Sequence, residues 1–338
     1  MNPTYTYKDI SLVPRKLSTI HSRDDVDLSQ EISNINKTTK LSVSLPIIPS
    51  PMETIATIEM ATKLDSFGIW NAIHRFQSKE NRLNIALSSF TLPPLVSIGV
   101  GEKEFDIIEQ LIRRGCKFFN IDIANGFNSI IEPTIAFIRN LCPDSFIMGG
   151  NFASREGFKY LSDLGIDCAR AGVGNGSVCS TSQKTSIGQG VASSVIEAVQ
   201  EREKIHSKSL ILADGGMSNP GDIGKALGLG ADLVMIGSMF AGTKESGGEV
   251  IKYNDQKFKI YRGSASYGAQ AKTGRTPKFV EGGETLVKYK SGGVAQIIYD
   301  IENGLKSTLS YMGAKNLKEF RENAKNNFVV YNLDKKLF

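Results

Sequence analysis

The run Ile166-Asp167-Cys168-Ala169-Arg170-Ala171-Gly172-Val173 passes directly into Gly174-Asn175-Gly176-Ser177-Val178-Cys179-Ser180-Thr181. The first half reads as an apolar strand, the second as a glycine-rich loop carrying a thiol and hydroxyl side chains. Glycines at 172, 174 and 176 let the backbone turn sharply and bring its amides and carbonyls close to a ligand. Cys179 in that loop is placed to act as a nucleophile. The competing reading is a tight turn holding a small thiol that behaves as an apolar group.

Seven further runs of the same kind flank it: Leu45–Met52, Phe67–His74, Leu95–Val100, Phe118–Ala124, Phe146–Ala153, Leu210–Gly215 and Leu233–Ser238. They are near-continuous in Val, Ile, Leu and Phe rather than alternating, as strands covered on both faces are. Between them lie segments with helical spacing: Thr54–Ser66, Glu104–Arg114, Ile130–Leu141, Arg155–Leu164, Val191–Lys204 and Pro220–Gly228. Ser154 and Asn219 stand where N-caps belong. Strand–helix repetition predicts an α/β fold with a parallel sheet under helices. Eight units predict a closed (β/α)8 TIM barrel rather than an open doubly wound sheet, and no G-x-G-x-x-G follows the first strand. Residues 1–44 are polar and lead into the barrel. Residues 243–292 interrupt it between the eighth strand and its helix, roughly Val294–Lys306. That insertion holds a hairpin, Glu249–Arg262, turning at Asn254-Asp255. The remainder, Gly263–Gly293, has little periodicity and reads as a mobile flap on the catalytic face. The expected organisation is one catalytic domain over residues 1–338.

The 338 residues carry a net charge of +5, spread without a basic tract, which argues against nucleic acid as a partner. Cys116, Cys142, Cys168 and Cys179 form no C-x-x-C pair, which speaks against a zinc site or a disulfide framework and for a reducing compartment. Met1-Asn2-Pro3-Thr4-Tyr5 lacks a signal-peptide layout, and no apolar run is long enough to cross a bilayer. The expectation is a cytoplasmic protein without membrane contact.

In such a barrel the loops after the strands build the site, with phosphate commonly held after strands seven and eight. Here Asp214-Gly215-Gly216 follows strand seven and Gly237-Ser238 ends strand eight. Glycine amides and a serine hydroxyl suit a phosphate, and Asp214 suits ribose hydroxyls; ordinary turn glycines with a capping Asp are the alternative. Ser177 and the Tyr261-Arg262-Gly263-Ser264 stretch converge on the same face. Asp122-Ile123-Ala124-Asn125-Gly126 ends strand four, where its carboxylate would either hold a ligand or cap a turn. His74-Arg75 ends strand two, as an anion contact or a structural pair. Glu281 would by default be a surface carboxylate.

The nucleophile loop resembles that of the IMP dehydrogenase and GMP reductase family. The likeness continues through Tyr7-Lys8-Asp9-Ile10, Ser22-Arg23-Asp24-Asp25-Val26, the Asp122–Gly126 stretch, Gly150-Asn151, Asp214-Gly215-Gly216 with Pro220-Gly221-Asp222, Glu245-Ser246-Gly247-Gly248-Glu249 and Ser310-Tyr311-Met312-Gly313-Ala314. It implies a TIM barrel and a purine mononucleotide substrate, GMP or IMP. Cys179 would attack purine C2 to form a covalent thioimidate. Ser177, Gly216, Gly237 and Ser238 would hold the 5′-phosphate and Asp214 the ribose, with Gly215, Tyr261, Gly263, Ser264, Ala265 and Gly282 completing the substrate site. The carbonyls of Gly174, Gly176 and Cys179 resemble a K⁺ site. The short link from His74 to strand three, without an inserted pair of CBS modules, and Val280-Glu281-Gly282 resemble the reductase branch. There Thr181 and Glu281 would shuttle a proton as ammonia leaves, with NADPH as cofactor. Ser22, Arg23, His74, Asp122, Ile123, Ala124, Ser310 and Tyr311 would contact the cofactor, some of them across subunits of a homotetramer. Two alternatives remain. One is an IMP dehydrogenase without CBS modules, using Arg275 as base to convert IMP, NAD and water to XMP and NADH. The other is a nucleotide-binding protein without turnover, suggested by Asn175, Ser180 and Ser182 where the family usually has proline, threonine and a basic residue.

Overall fold

Alternate residues of each central strand belong to two different apolar clusters. Ile48, Ala72, Phe118, Phe146, Met148, Cys168, Leu212, Leu233 and Met235 pack together in one; Ile47, Ile73, Phe119, Ile147, Ala169, Ile211 and Val234 pack with the helices in the other. A strand with both faces buried has no solvent side to mark with polar residues, which is why the runs are continuous in sequence. The protein, a computed structural model, is described over residues 3–271 and 279–331. All eight expected strands form: β1 (Ile47–Pro49), β2 (Ala72–Ile73), β3 (Leu95–Ile98), β4 (Phe118–Asp122), β5 (Phe146–Phe152), β6 (Cys168–Ala171), β7 (Leu210–Asp214) and β8 (Leu233–Ile236). They make one parallel sheet in which each strand from β2 to β8 pairs with the next, and β8 pairs back onto β1. Among the described residues no ladder joins β1 to β2. The result is a (β/α)8 TIM barrel. The strands are shorter than the apolar runs because run ends leave the ladder to line a cleft, as Ser50, Pro51 and Met52 do.

The covering helices are α1 (Ile58–Asp65), α2 (Lys79–Ala86), α3 (Phe105–Arg113), α4 (Glu132–Leu141), α5 (Arg155–Asp163), α6 (Val191–Lys204), α7 (Pro220–Gly228) and α8 (Gly293–Tyr311). Asn219 caps α7 by accepting the Asp222 N–H at 3.0 Å, ahead of a proline at its first turn. The first helix starts at Ile58 rather than Thr54 because Thr57 takes the cap, accepting the Met60 N–H at 3.0 Å.

Residues 1–44 do more than lead in. Gln30–Ser33 and Lys40–Val43 form an antiparallel hairpin. Its alternating Ile32, Leu41 and Val43 pack with Trp70, Phe118 and Phe146 and stop the barrel at its N-terminal end. The insertion between β8 and α8 contains the expected hairpin, Val250–Tyr253 with Gln256–Arg262. Its turn places Asn254 and Asp255 at φ 48 and 57, the left-handed pair that matches strand twist. A third strand, Glu284–Lys288, adds to its edge. Its burial does not alternate, so no periodicity announced it. Arg262 docks this sheet to the loop after β1 through Glu53 at 3.2 Å.

Candidate active site

The C-terminal ends of the strands surround a cleft of about 790 Å³. Cys179 and Thr181 line it from the loop after β6, with the Cys179 thiol donating to Thr181 Oγ1 at 3.3 Å. The loop is folded on itself by the Cys179 amide, which donates to the Gly176 carbonyl at 3.0 Å. From the far side the insertion adds a short pairing: the Ser180 N–H donates to the Glu281 carbonyl at 2.8 Å, and the Gly283 N–H to the Val178 carbonyl at 2.7 Å. Glu281, far along the chain from Cys179 and Thr181, thus lines one cleft with them. Gly282 permits the approach, since a Cβ there would sit 2.5 Å from the Ser266 nitrogen. The same segment is braced by Gly263, whose N–H reaches the Gly283 carbonyl at 3.0 Å, and by the Ala265 carbonyl, which takes the Gly282 N–H at 3.1 Å. Ser264 lines the cleft beside them.

Ser177, Asp214, Gly215, Gly216, Gly237 and Ser238 line the same cleft. Gly215 adopts φ +86, packed against the Asn175–Gly176 peptide, a backbone state that side chains rarely take. Tyr261 is buried; burial, and then the Asp214 charge, push its phenol up to about 12 against a hydrogen bond with Ser177. It is therefore a neutral hydroxyl at the mouth of the glycine cradle. A Cβ on Gly237 would lie 2.8 Å from that hydroxyl.

The floor is a charged chain that the apolar reading of strand six passed over. Arg170 is buried in β6 and bridges Asp122 (3.0 Å) at the end of β4 to Asp214 (2.9 Å) at the end of β7. Burial works against its charge, yet the two carboxylates outweigh it and hold the guanidinium protonated. Asn151 Nδ2 adds a bond to Asp214 at 2.7 Å, and Arg75 reaches Asp122 at 3.4 Å. The signal was an arginine in the middle of a strand buried on both faces: a buried cation needs anionic partners.

Asp122, Ile123 and Ala124 line the cleft with Arg75, Phe76 and Gln77. His74 does not; it is buried behind that wall, its Nδ1 accepting the Phe76 N–H at 3.1 Å. Ser22, Arg23, Ser310 and Tyr311 also lie off the cleft, on the outer wall where the end of α8 meets the N-terminal segment. Ser310 Oγ donates to the Ile20 carbonyl at 3.4 Å, Ser22 caps a turn with Asp25, and Tyr311 is exposed. Arg275 lies outside the described residues. Gly174, Gly176 and Cys179 share one turn of the cleft wall. Among the described residues no three His, Cys, Asp or Glu side chains gather as a metal cluster, and no helix is long and apolar enough to cross a membrane.

This barrel and cleft define a class. The IMP dehydrogenase / GMP reductase domain matches residues 4–332, and the chain belongs to that family. Among its relatives, GMP reductase 2 of Bos taurus is 36% identical over 320 residues, covering 93% of this chain and 90% of the relative. GMP reductase of Caenorhabditis elegans is 35% identical over 331 residues (95% and 91%), and that of Klebsiella pneumoniae subsp. pneumoniae 34% over 320 residues (93% and 91%).

Proposed function

We propose that this chain is a GMP reductase: GMP, NADPH and a proton give IMP, ammonia and NADP⁺. The observation that carries this reading is the convergence of Cys179, Thr181 and Glu281 on one cleft, with the thiol 3.3 Å from Thr181 Oγ1. The names of the relatives point the same way. Glycine amides at 215, 216 and 237 with Ser177, Ser238 and the neutral Tyr261 hydroxyl suit a 5′-phosphate, and Asp214 Oδ1, which has no partner among the described residues, suits a ribose hydroxyl. With the sugar phosphate anchored, Cys179 Sγ adds to purine C2 and the C2–N bond breaks. Thr181 and Glu281 deliver the proton that lets nitrogen leave as ammonia, which leaves a thioimidate between C2 and Cys179. NADPH, held against the Asp122–Ala124 wall, would supply the hydride that C2 needs, and Cys179 would then leave as thiolate with IMP as product.

Asp122, Ile123 and Ala124 form a wall on which the nicotinamide end would rest. Ser22, Arg23, Ser310 and Tyr311 sit too far round the barrel to share this cleft, which fits their reaching the cofactor of a neighbouring copy in a homotetramer. An arginine suits a 2′-phosphate. Carbonyls of Gly174, Gly176 and Cys179 are uncharged oxygen donors of the kind K⁺ takes; Gly176 spends one lone pair on the Cys179 amide and retains another. The deciding assay follows NADPH absorbance with GMP at several K⁺ concentrations. Loss of absorbance with IMP as product supports the reading; NADH formation from IMP and NAD⁺ instead overturns it in favour of a dehydrogenase.

A further inference from the structure

One side chain holds both ends of the nucleophile loop. Asn175 Nδ2 donates to the carbonyls of Val173 (3.0 Å) and Gln189 (2.9 Å), and its Oδ1 accepts the Val191 N–H at 3.2 Å. Val173 lies where the chain leaves the barrel wall, and Val191 is the first residue of α6, where it returns. Cys179 lies between, in a stretch whose only described regular element is the short helix Thr181–Thr185. A loop closed at its neck by three hydrogen bonds has far fewer arrangements than a free one, so its tip is held by its base. The neck is clasped from outside as well. Thr4 Oγ1 accepts the Gly190 N–H at 2.8 Å, the Tyr5 N–H donates to Ser193 Oγ at 2.8 Å, and a Cβ on Gly190 would lie 2.2 Å from the Tyr5 carbonyl oxygen. Asn175 therefore spends both donor hydrogens and one acceptor site of its amide on the loop's own backbone.

We infer that Asn175 is a positioning residue: it staples the neck of this loop and so sets where Cys179 Sγ stands relative to the bound substrate. The inference rests on Cys179 being the nucleophile. Of the groups assigned to phosphate and ribose, only Ser177 lies in this loop; Asp214, Gly215, Gly216, Gly237 and Ser238 stand on other strand ends, so the staple governs the chemical step more than binding. In Asn175→Ala, hydrogen–deuterium exchange should speed up across residues 176–191 while the rest of the barrel is unchanged. In the GMP and NADPH assay kcat should fall on the order of 10- to 100-fold, the scale of an ångström misplacement, with KM for GMP changing less than about threefold. Asn175→Asp retains the acceptor and shape but loses both donated bonds, and it serves if the alanine variant does not fold. Unchanged exchange in the loop, or faster exchange with unchanged kcat, overturns the staple. If the wild-type protein turns over no GMP, the functional reading falls, and the exchange comparison alone then decides whether Asn175 closes the loop.

Discussion

Carboxylates end up at both mouths of this barrel, and they are used in opposite ways. At the N-terminal mouth Asp167 accepts the Ile35 N–H (2.7 Å) on one oxygen and the Ile147 N–H (2.6 Å) and Arg139 (2.7 Å) on the other. Asp232 takes Arg202 at 2.5 Å and the Ile211 N–H at 2.8 Å, both on Oδ2. These groups tie loops and strands to one another. At the C-terminal mouth Asp122 and Asp214 share the buried Arg170, but Asp214 Oδ1 has no partner among the described residues, and both side chains line the cleft. What separates the two ends is access to the cleft: Asp167 and Asp232 meet only protein, whereas Asp122 and Asp214 are fixed by Arg170 and still line the cavity, Asp214 with an acceptor to spare.

That contrast can be broken by substitution. Cys179→Ala should lower GMP turnover at least about 1,000-fold, with calorimetry still detecting GMP binding and the melting temperature within a few degrees of wild type. Full retention of turnover would remove the thiol from the chemistry. At the other mouth Asp167→Asn should cost about 3 kcal/mol of stability, because it leaves Arg139 without its buried anionic partner. Urea unfolding reads this, and kcat of the folded fraction should stay at the wild-type value. If instead kcat falls without a change in stability, the division between the two ends is wrong. Glu281→Gln should slow ammonia release roughly 100-fold, again without loss of stability.

A smaller effect concerns Glu104, at the edge of the cleft. Burial disfavours its charge, but Arg82 at 3.1 Å, with the Gly99 backbone and Arg75, holds it below the ordinary carboxylate range. A lowered native pKa means that the unfolded chain binds the proton more readily. The stabilisation is complete above the unfolded pKa and fades as pH falls through the native value. Glu104→Gln should flatten this acid limb when urea midpoints are followed from neutral to acid pH.

The barrel was legible because its causes are local. Continuous apolar runs, capping residues such as Asn219, and the Asn254-Asp255 turn each act within a few residues, so β1 to β8, α6 and α7 could be placed from the chain alone. Cys179, Asp214 and Asp122 were legible too, since a barrel's geometry assigns strand ends to the cleft before any contact is known. The third strand of the insertion was not, because it shows no alternation and forms by pairing with Gln256–Arg262. Nor was the plug made by Ile32, Leu41 and Val43, whose partners lie on strands formed much later in the chain.

By itself the sequence determined the order of strands and helices, the loop that carries the thiol, and the acidic residues at strand ends. Folding alone decided that Arg170 would lie between Asp122 and Asp214, that Glu281 would share a cleft with Cys179, and that Asn175 would close its loop. His74 turned behind the wall, and Ser22 and Arg23 went to the outer face with Ser310. The physical reason is range. Propensity, capping and turn chemistry act between near neighbours along the chain. The pairing of buried charges and backbone groups is a demand of the low-dielectric interior, met by whichever residues the closed barrel brings together.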